Sequence, residues 1–361
     1  MKYWFGKVHL WLGLPLGSLF LVISLSGALY CWEPEFAAIT YKENVEPQQK
    51  PFVAISTLKK SVESALPNAD LRTVYYRGTS KAVQLLYYVP GTYYHANLNP
   101  YTGELIHLQD MKKGWLNNLK FLHRNLMLGD VGREIVHWGT LLYLLMITTG
   151  IVIWWPTRKS QRKQRFTIKW GASKKRLNYD LHNVLGFYSS WILIFLVLTG
   201  LFWGFQVVKS SIRTLYQEDL IRYDVPHSVE GTPQSEQDQY RLMDYLGEQF
   251  RHQYPDRNIR ISNPHAADDP IQVSVSSKDR TVTSVDHYYF DRYSGKRLTG
   301  HFKNGLHTAS SGFTTWNGLM YDIHLGNLFG ITSRLLVFMA SLIGASLSIT
   351  GFIYWWSNRK L

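Results

Sequence analysis

Residues 123–155 read HRNLMLGDVGREIVHWGTLLYLLMITTGIVIWW, and residues 324–356 read HLGNLFGITSRLLVFMASLIGASLSITGFIYWW. The two stretches align without a gap over 33 residues, and uncommon residue types coincide at one offset. The matched positions are His123 and His324, Gly129 and Gly330, Arg133 and Arg334, Thr149-Gly150 and Thr350-Gly351, and Trp154-Trp155 and Trp355-Trp356. So many coincidences at a fixed spacing predict an internal duplication.

A second pair of segments extends the duplication to the other half of each repeat. His9 and His182 each stand four residues before a glycine, and each precedes by 18 residues the glycine of a hydroxyl–Gly pair. Those pairs are Ser26-Gly27 and Thr199-Gly200. Each repeat therefore consists of two apolar segments, and each apolar segment carries one matched histidine.

Four uncharged apolar runs are long enough to cross a bilayer, which takes about 20 residues of helix. They are Val8–Trp32, Ile135–Thr157, Leu181–Val208 and Leu335–Asn358. The first run could also be a cleaved signal peptide, but its length and the lack of a small-residue cleavage site favour a retained span. The runs predict a membrane protein with a bundle of four transmembrane helices, built from two parallel repeats.

Basic residues predict the orientation of the bundle. The net charge of +13 is concentrated in the loop 158–176, which contains nine Lys and Arg residues between the second and third runs. Because cytoplasmic loops are enriched in Lys and Arg, this loop and both termini are expected to be cytoplasmic. A nucleic-acid partner, the other common reason for such a charge, is not expected. The single cysteine, Cys31, excludes a disulfide within the chain.

Two polar segments between the runs are expected on the outer side, each with one helix followed by a meander of strands. Similar turns, Asn99–Glu104 and Asp291–Lys296, stand near their ends and place a glycine where positive φ is needed. We predict two α+β domains. The boundaries are 1–36 for the first span, 37–113 for the first outer domain, 114–157 for an outer-face segment with the second span, 158–180 for the basic loop, 181–210 for the third span, 211–302 for the second outer domain, and 303–361 for an outer-face segment with the fourth span.

The matched histidines are the candidate functional residues, since ionisable side chains at membrane depth are costly. Repeat symmetry would pair His9 with His182 at the cytoplasmic face and His123 with His324 at the outer face. Two such pairs in a four-helix bundle fit two haems, each with two axial histidines. Histidines at the membrane interface without a cofactor are the simpler alternative, and zinc is disfavoured because no Cys or acidic residues accompany them.

Several assignments around the outer pair remain open. An unbroken helix from His123 to Trp155 would be about 48 Å long, so a bend is expected near the glycines 129–132. Arg133 and Arg334 are candidate partners for haem propionates, because guanidinium groups bind carboxylates through two hydrogen bonds. An interface anchor is the other interpretation of this arginine pair. His137 or His307 could replace an outer ligand.

The sequence resembles the PepSY-associated transmembrane family, which includes bacterial ferric-siderophore reductases. The resemblance spans nearly the whole chain. It rests on the motifs at Val8–Gly13, Phe121–Leu126, Asp180–Gly186 and Asp322–Gly326, on the Thr-Gly and Trp-Trp helix endings, and on the Tyr-Thr-Gly and Tyr-Ser-Gly turns. It implies an inner-membrane protein with two periplasmic PepSY-like domains, two haems b held by the four histidines, and reduction of a periplasmic ferric siderophore or other ferric chelate.

Two other functions remain open from the sequence. A PepSY-type binding or regulatory protein would use the helices as anchors, and a transporter would use the repeats for alternating access. No dinucleotide-binding fingerprint follows a strand, so the electron donor is expected to be a cytoplasmic protein or a membrane quinol. The insert-like stretch His307–Tyr321, rich in Ser, Thr and Gly, departs from the pattern of the family, so the outer surface and the substrate remain open.

Overall fold

The computed structural model describes residues 1–216, 226–229, 231, 235–278, 282, 285–298 and 312–359, except the side chains of Gln161 and Thr314. The chain divides into two compact units. Unit 1 comprises residues 1–33, 118–212 and 320–361, and contains the apolar helices. Unit 2 comprises residues 34–117 and 213–319, and contains the strands.

The four predicted spans are confirmed as long apolar helices. They are α1 (Lys2–Tyr30), α5 (Gly129–Trp154), a continuous helical segment at Lys174–Gly204 and α12 (Ile331–Asn358). The third consists of α7 (Lys174–Asp180), a single π-helical turn (Leu181–Leu185) and α8 (Gly186–Gly204). The short helix α6 (Arg162–Phe166) lies in the basic loop. The four helices make this a multi-pass membrane protein.

The third span ends earlier than its apolar run. Helix α8 stops at Gly204, Phe205 is extended, and the amphipathic helix α9 (Gln206–Leu215) follows. The prediction of a span that continues to Val208 is therefore wrong at its end. Glycine is a poor helix former, so a helix end at this position is favourable. A β-carbon at residue 204 would lie 3.0 Å from the ring of His137 on α5, so the close packing of the two helices favours glycine there.

The expected bend before the second span is confirmed, but it begins before the predicted glycines. Helix α4 (Trp115–Asn125) ends in a turn where Leu126 and Met127 have φ of +54° and +60°, and α5 starts at Gly129. Gly132 lies inside α5, where a β-carbon would collide with the carbonyl oxygen of Asn125 at 1.8 Å. In the second repeat, α11 (Gly312–Leu325) is followed by Gly326 and Gly330, both with positive φ, before α12.

Unit 2 holds one continuous antiparallel sheet, whereas the sequence predicts two domains. The first polar segment supplies β1 (Asp70–Tyr76), β2 (Val83–Val89), β3 (Thr92–Leu98) and β4 (Leu105–Asp110). The second supplies β5 (Arg257–Ser262), β6 (Ile271–Ser277) and β7 (Asp286–Phe290). The strand order is β4-β3-β2-β1-β5-β6-β7. Each segment alone would leave its first strand as an exposed edge, and the β1–β5 pairing removes both edges.

The helices α2 (Glu33–Thr40), α3 (Ile55–Glu63) and α10 (Glu236–Gln253) complete unit 2. Leu58 of α3 and Met243 of α10 are fully buried with the inward-facing residues of the strands, so one core serves both segments. After β7, a single isolated bridge pairs Phe290 with Arg297 in the described residues.

The two predicted turns are equivalent. The Oδ1 atom of Asn99 accepts hydrogen bonds from the amides of Tyr101 and Thr102, and the Oδ1 atom of Asp291 accepts them from those of Tyr293 and Ser294. Gly103 and Gly295 have φ of +76° and +69°. The same hydrogen-bonded turn in both segments agrees with a common origin of the two segments.

Asp244 links the two segments and predicts a pH dependence of unit 2. Its Oδ1 atom accepts a hydrogen bond of 3.0 Å from the buried amide of Ile55, at the start of α3. Burial raises the pKa of Asp244 to about 6. Because the carboxyl group is harder to ionise in the folded than in the unfolded state, folding stability should fall as pH rises from about 4 to about 6. Solvent screening reduces the effect to about 1–2 kcal/mol.

The variant Asp244→Asn should lose this pH dependence and keep the acceptor for Ile55. The free energy of opening of β5 in the full-length protein is obtained from hydrogen exchange at pH 4.5 and pH 6.5, after correction for the intrinsic exchange rate at each pH. It should differ between the two pH values in the wild-type protein and agree in the variant. Asp244→Ala, which removes the acceptor, should speed exchange at both pH values. If the stability of β5 depends on pH equally in the wild-type protein and in Asp244→Asn, Asp244 is not the group responsible.

Candidate functional site

The first histidine pair lies between the helices of unit 1. His9 is on α1 and His182 is on the π-helical turn before α8. Their ring centroids are 6.4 Å apart, and the ring planes are at 81°. Both residues line a cavity of about 780 Å³, whose wall comes mainly from α1, α5, α8 and α12. Pockets for small molecules and cofactors typically have about 300–1,000 Å³, so this cavity has the size of a ligand site.

Small residues form much of the wall of this cavity. Gly13 and Gly17 of α1 line it, as do Gly186 of α8 and Gly344 of α12. Apolar side chains such as Leu14, Ile147 and Leu193 complete the wall. Glycine at these positions leaves the space open, because any larger side chain would project into it.

The second histidine pair lies on the short helices that precede α5 and α12. His123 is in the last turn of α4 and His324 is in the last turn of α11. Their ring centroids are 6.1 Å apart, at an interplanar angle of 60°. The bends after α4 and α11 allow this approach, because a straight helix would carry each histidine away from the bundle.

The two pairs lie near opposite ends of the bundle. On α1, His9 belongs to the first pair, and Ser26, 17 residues further along, approaches His123 of the second pair. That spacing corresponds to about 26 Å of α-helix, close to the thickness of a bilayer's hydrocarbon core of about 30 Å. The pairs are thus placed as two sites at different depths of one membrane protein.

Each histidine in the first pair is oriented by a neighbouring helix. The Nδ1 atom of His9 lies 3.0 Å from the carbonyl oxygen of Met146 and 3.2 Å from the Oγ1 atom of Thr149. The Nδ1 atom of His182 lies 3.0 Å from the Oγ1 atom of Thr350. Thr350 donates its own proton to the carbonyl oxygen of Ser346, so its oxygen accepts from His182.

The second pair uses the same arrangement. The Nδ1 atom of His123 lies 2.9 Å from the carbonyl oxygen of Ile23 and 3.5 Å from the Oγ atom of Ser26. The Nδ1 atom of His324 lies 2.7 Å from the Oγ1 atom of Thr199, which donates to the carbonyl oxygen of Phe195. All four Nδ1 atoms therefore carry the proton, and Nε2 is left as a neutral donor of an electron pair.

The glycine after each hydroxyl residue makes room for the imidazole ring. A β-carbon at Gly27 would lie 2.7 Å from the Cε1 atom of His123, and one at Gly150 or Gly351 would lie 3.1 Å from the ring of His9 or His182. At Gly200 the distance to His324 would be 4.0 Å. Each hydroxyl–Gly pair thus forms a seat for one histidine, in which the hydroxyl residue faces Nδ1 and the glycine lies beside the ring. The contact is tight at Gly27, Gly150 and Gly351 and loose at Gly200.

Each candidate site brings two histidines together. Within the described ranges, no group of three or more His, Cys, Asp or Glu side chains could hold a metal ion. Zinc sites in proteins use three or four such ligands, whereas a haem iron takes four of its ligands from the porphyrin and two from outside it.

A family match covers nearly the whole chain. The family described as PepSY-associated TM region matches residues 7–358. The chain belongs to the PepSY-associated TM region family. The match covers all four spans, both histidine pairs and the sheet. A comparison with curated proteins found no significant match.

Within this PepSY-associated protein, the predicted arginines do not form a matched pair. The Nη2 atom of Arg133 lies 2.7 Å from the Oδ1 atom of Asp130 on the same helix, and its side chain is exposed. The guanidinium carbon of Arg334 lies 4.8 Å from the ring centroid of Trp32. Binding of propionates by these two residues stays a prediction. His137 lies in α5 against Phe205, and His307 falls outside the described residues.

Sequence reasoning missed the role of the hydroxyl residues. The hydroxyl–Gly pairs are visible in all four apolar runs, at matched positions in the duplication. Their pairing with histidines of other helices was not deducible, because sequence spacing does not specify which helices are neighbours. The sequence signal for this role was a hydroxyl–Gly dipeptide that occurs four times, once for each matched histidine.

Proposed function

We propose that this protein is a membrane oxidoreductase that carries electrons across the bilayer through two haems b. One haem would be held by His9 and His182, and the other by His123 and His324. The observation that carries the proposal is the separation of the rings in each pair, 6.4 Å and 6.1 Å between centroids. Two imidazoles with metal–nitrogen bonds of about 2 Å on opposite sides of one ion have centroids about 6 Å apart.

Three further features of the residues present fit haem. The cavity around His9 and His182 has the volume expected for a cofactor site. Each histidine holds its Nδ1 proton in a hydrogen bond, which is the usual second-shell arrangement of a metal-bound imidazole. Each pair offers two protein ligands, as six-coordinate haem requires.

A haem with two axial histidines supplies reversible one-electron chemistry, because no coordination position is left open for oxygen. The four histidines would act as axial ligands, and the hydroxyl–Gly seats would hold each ring in one orientation and one tautomer. The apolar wall of the cavity would exclude water and keep the site at a low dielectric. None of these residues needs to gain or lose a proton when an electron passes.

The charge distribution of the bundle and the family resemblance support a direction for electron transfer. The basic loop 158–176 favours a cytoplasmic position for the end of the bundle that carries His9 and His182. We therefore place this pair at the inner face of the bacterial inner membrane, both termini in the cytoplasm, and unit 2 in the periplasm. The resemblance to ferric-siderophore reductases supports a periplasmic ferric chelate as the acceptor, and the donor would be a quinol or a cytoplasmic protein.

Electron transfer to a ferric chelate can be tested on the purified full-length protein. The protein is reduced with dithionite, freed of excess reductant, and mixed with an Fe(III)-siderophore while its visible spectrum is followed. We expect reoxidation with one Fe(III) reduced for each electron released. The Ga(III) complex of the same siderophore, which has the same shape but cannot be reduced, should leave the spectrum unchanged. A haem-containing protein that no ferric chelate reoxidises would refute this acceptor class, and reoxidation by oxygen must be excluded by anaerobic handling.

The hydroxyl seat of His324 gives a prediction for the second pair. The variant Thr199→Val keeps the side-chain shape but removes the acceptor 2.7 Å from Nδ1. Loss of a second-shell hydrogen bond typically costs 10–100-fold in metal affinity, so we expect haem loss about tenfold faster from one of the two sites. Ser26→Ala is the matched control, because the Oγ atom of Ser26 lies 3.5 Å from the Nδ1 atom of His123, farther than Thr199 lies from His324. Each of the two rings also has a backbone carbonyl as partner, that of Ile23 or of Leu196. Equal haem retention in the two variants would contradict the proposed role of Thr199.

A further inference from the structure

The cavity around His9 and His182 has one charged residue among the described residues that line it. That residue is Arg165, on the short helix α6 of the basic loop. The other polar residues of the wall are neutral and include Tyr179 and Asn183, which lie beside Arg165. A guanidinium group at the wall of a mostly apolar cavity is costly unless an acceptor of opposite charge is present.

Arg165 is held at this place by both its backbone and its side chain. The Nε1 atom of Trp154 donates a hydrogen bond of 3.1 Å to the carbonyl oxygen of Arg165, and the Trp154 ring stacks on Phe187. The Nη1 atom of Arg165 donates to the hydroxyl oxygen of Tyr179 at 3.0 Å and to the Oδ1 atom of Asn183 at 3.2 Å. Both acceptors are neutral.

No carboxylate of the described part of the chain lies within 4 Å of the Arg165 guanidinium. Asp180, the buried carboxylate of the neighbouring helix α7, forms an ion pair of 2.8 Å with Arg176 and accepts a hydrogen bond from the amide of Lys169. Arg165 thus lines the cavity without a carboxylate partner among the described residues. An anionic group of a ligand bound in the cavity could neutralise its charge.

We propose that Arg165, supported by Tyr179 and Asn183, binds a carboxylate of the ligand held between His9 and His182. This inference rests on the proposed function, in which the ligand is haem b and the carboxylate is a propionate. It assigns Arg165 as the propionate partner at the first pair, whereas Arg133 and Arg334 were predicted as partners at the second pair. The arginine is a positioning residue, because it binds the rim of the cofactor and not the iron.

The experiment compares three variants of the full-length protein. Arg165→Gln removes the charge, Arg165→Lys keeps a charge but loses the planar fork, and Arg162→Gln removes an exposed charge from the same helix. Haem transfer to excess apomyoglobin is followed in each protein. We expect Arg165→Gln to release one haem about 10–100 times faster than Arg162→Gln, because a charge-assisted hydrogen bond is lost. Arg165→Lys should be intermediate.

A second measurement tests the carboxylate itself. Protein depleted of haem is reconstituted with haemin or with haemin dimethyl ester, which lacks ionised carboxylates. The Arg165→Gln substitution should speed release of haemin and have little effect on release of the ester. A redox titration accompanies the first measurement. Arg165→Gln should lower the midpoint potential of one haem, because loss of a nearby positive charge makes the addition of an electron less favourable.

The outcomes separate this inference from the proposed function. If the unchanged protein contains two haems, and Arg165→Gln and Arg162→Gln release them at equal rates, the assignment of Arg165 is overturned while the haem proposal stands. An equal effect of Arg165→Gln on haemin and on its ester would also overturn the assignment, because it would show a general loosening of the cavity. If the unchanged protein binds no haem, the proposed function itself fails.

Discussion

Replacing His9 with alanine is expected to give a protein that holds one haem in place of two. His9 and His182 face each other with ring centroids 6.4 Å apart, so the variant would leave that haem with one axial ligand in an otherwise apolar cavity. His324→Ala should remove the other haem and leave the first. The measurement is the ratio of haem to protein in each purified variant, with the spectrum of the retained haem still low-spin.

His137→Ala is the matched control for these variants. His137 lies on α5 in the same part of the chain as His123, but its position in the second repeat is occupied by Phe338. Its ring is near Phe205 and contacts no other histidine among the contacts of the described residues. We expect this variant to keep both haems. Loss of a haem in His137→Ala, with full retention in His324→Ala, would show that the second pair has been assigned to the wrong residues.

The variant Gly27→Ala should strongly weaken haem binding at the second pair. Its β-carbon would lie 2.7 Å from the Cε1 atom of His123, closer than non-bonded carbon atoms approach. The ring cannot move freely, because the carbonyl oxygen of Ile23 holds its Nδ1 atom at 2.9 Å. Overpacking of this kind costs about 1–3 kcal/mol, so we expect the haem of the second pair to bind about tenfold or more weakly.

Gly200→Ala tests whether the effect is steric. Gly200 occupies the matched position in the second repeat, but there the new β-carbon would lie 4.0 Å from His324, an ordinary contact distance. The same substitution should therefore cost far less haem at Gly200 than at Gly27. The haem content and the rate of haem transfer to apomyoglobin are measured for both variants. Equal losses would mean that the glycines matter for helix packing in general and not as seats for the histidines.

The sequence predicted the membrane part of the fold well, because its physical signal is strong. Long uncharged runs must be helical in a bilayer, so the four spans could be located from composition alone. Their ends were less accurate: the apolar run continued to Val208, but the helix stops at Gly204, since the close approach of His137 requires glycine there. Helix ends depend on neighbours that the local sequence does not specify.

The sheet shows a different limit of prediction from the sequence. A meander of strands in each polar segment was predicted from the sequence, and β2 (Val83–Val89) is one of the strands observed. The joining of the two segments in one sheet was not predicted. The β1–β5 pairing connects residues that are almost 200 positions apart, for example Val74 and Ile261. Alternating hydrophobicity identifies strands and their faces, and it carries no information about which strand lies at which edge.

The candidate site was partly predictable, because the duplication reduces the number of possible pairings. His9 with His182 and His123 with His324 are the pairs that repeat symmetry favours, and the structure brings each pair together. The contact of Thr199 with His324 and the position of Arg165 at the cavity were not predictable. Both depend on side chains from helices that are distant in sequence, so only the packed bundle defines them.

The most direct test of the whole account is the visible spectrum of the detergent-purified, full-length protein in its oxidised and dithionite-reduced states. The account predicts a sharp Soret band, a low-spin α-band that appears on reduction, and a content of two haems b per chain. A protein that is correctly folded, as judged by its helical circular dichroism, but shows neither band would contradict the central claim that the two histidine pairs are haem sites.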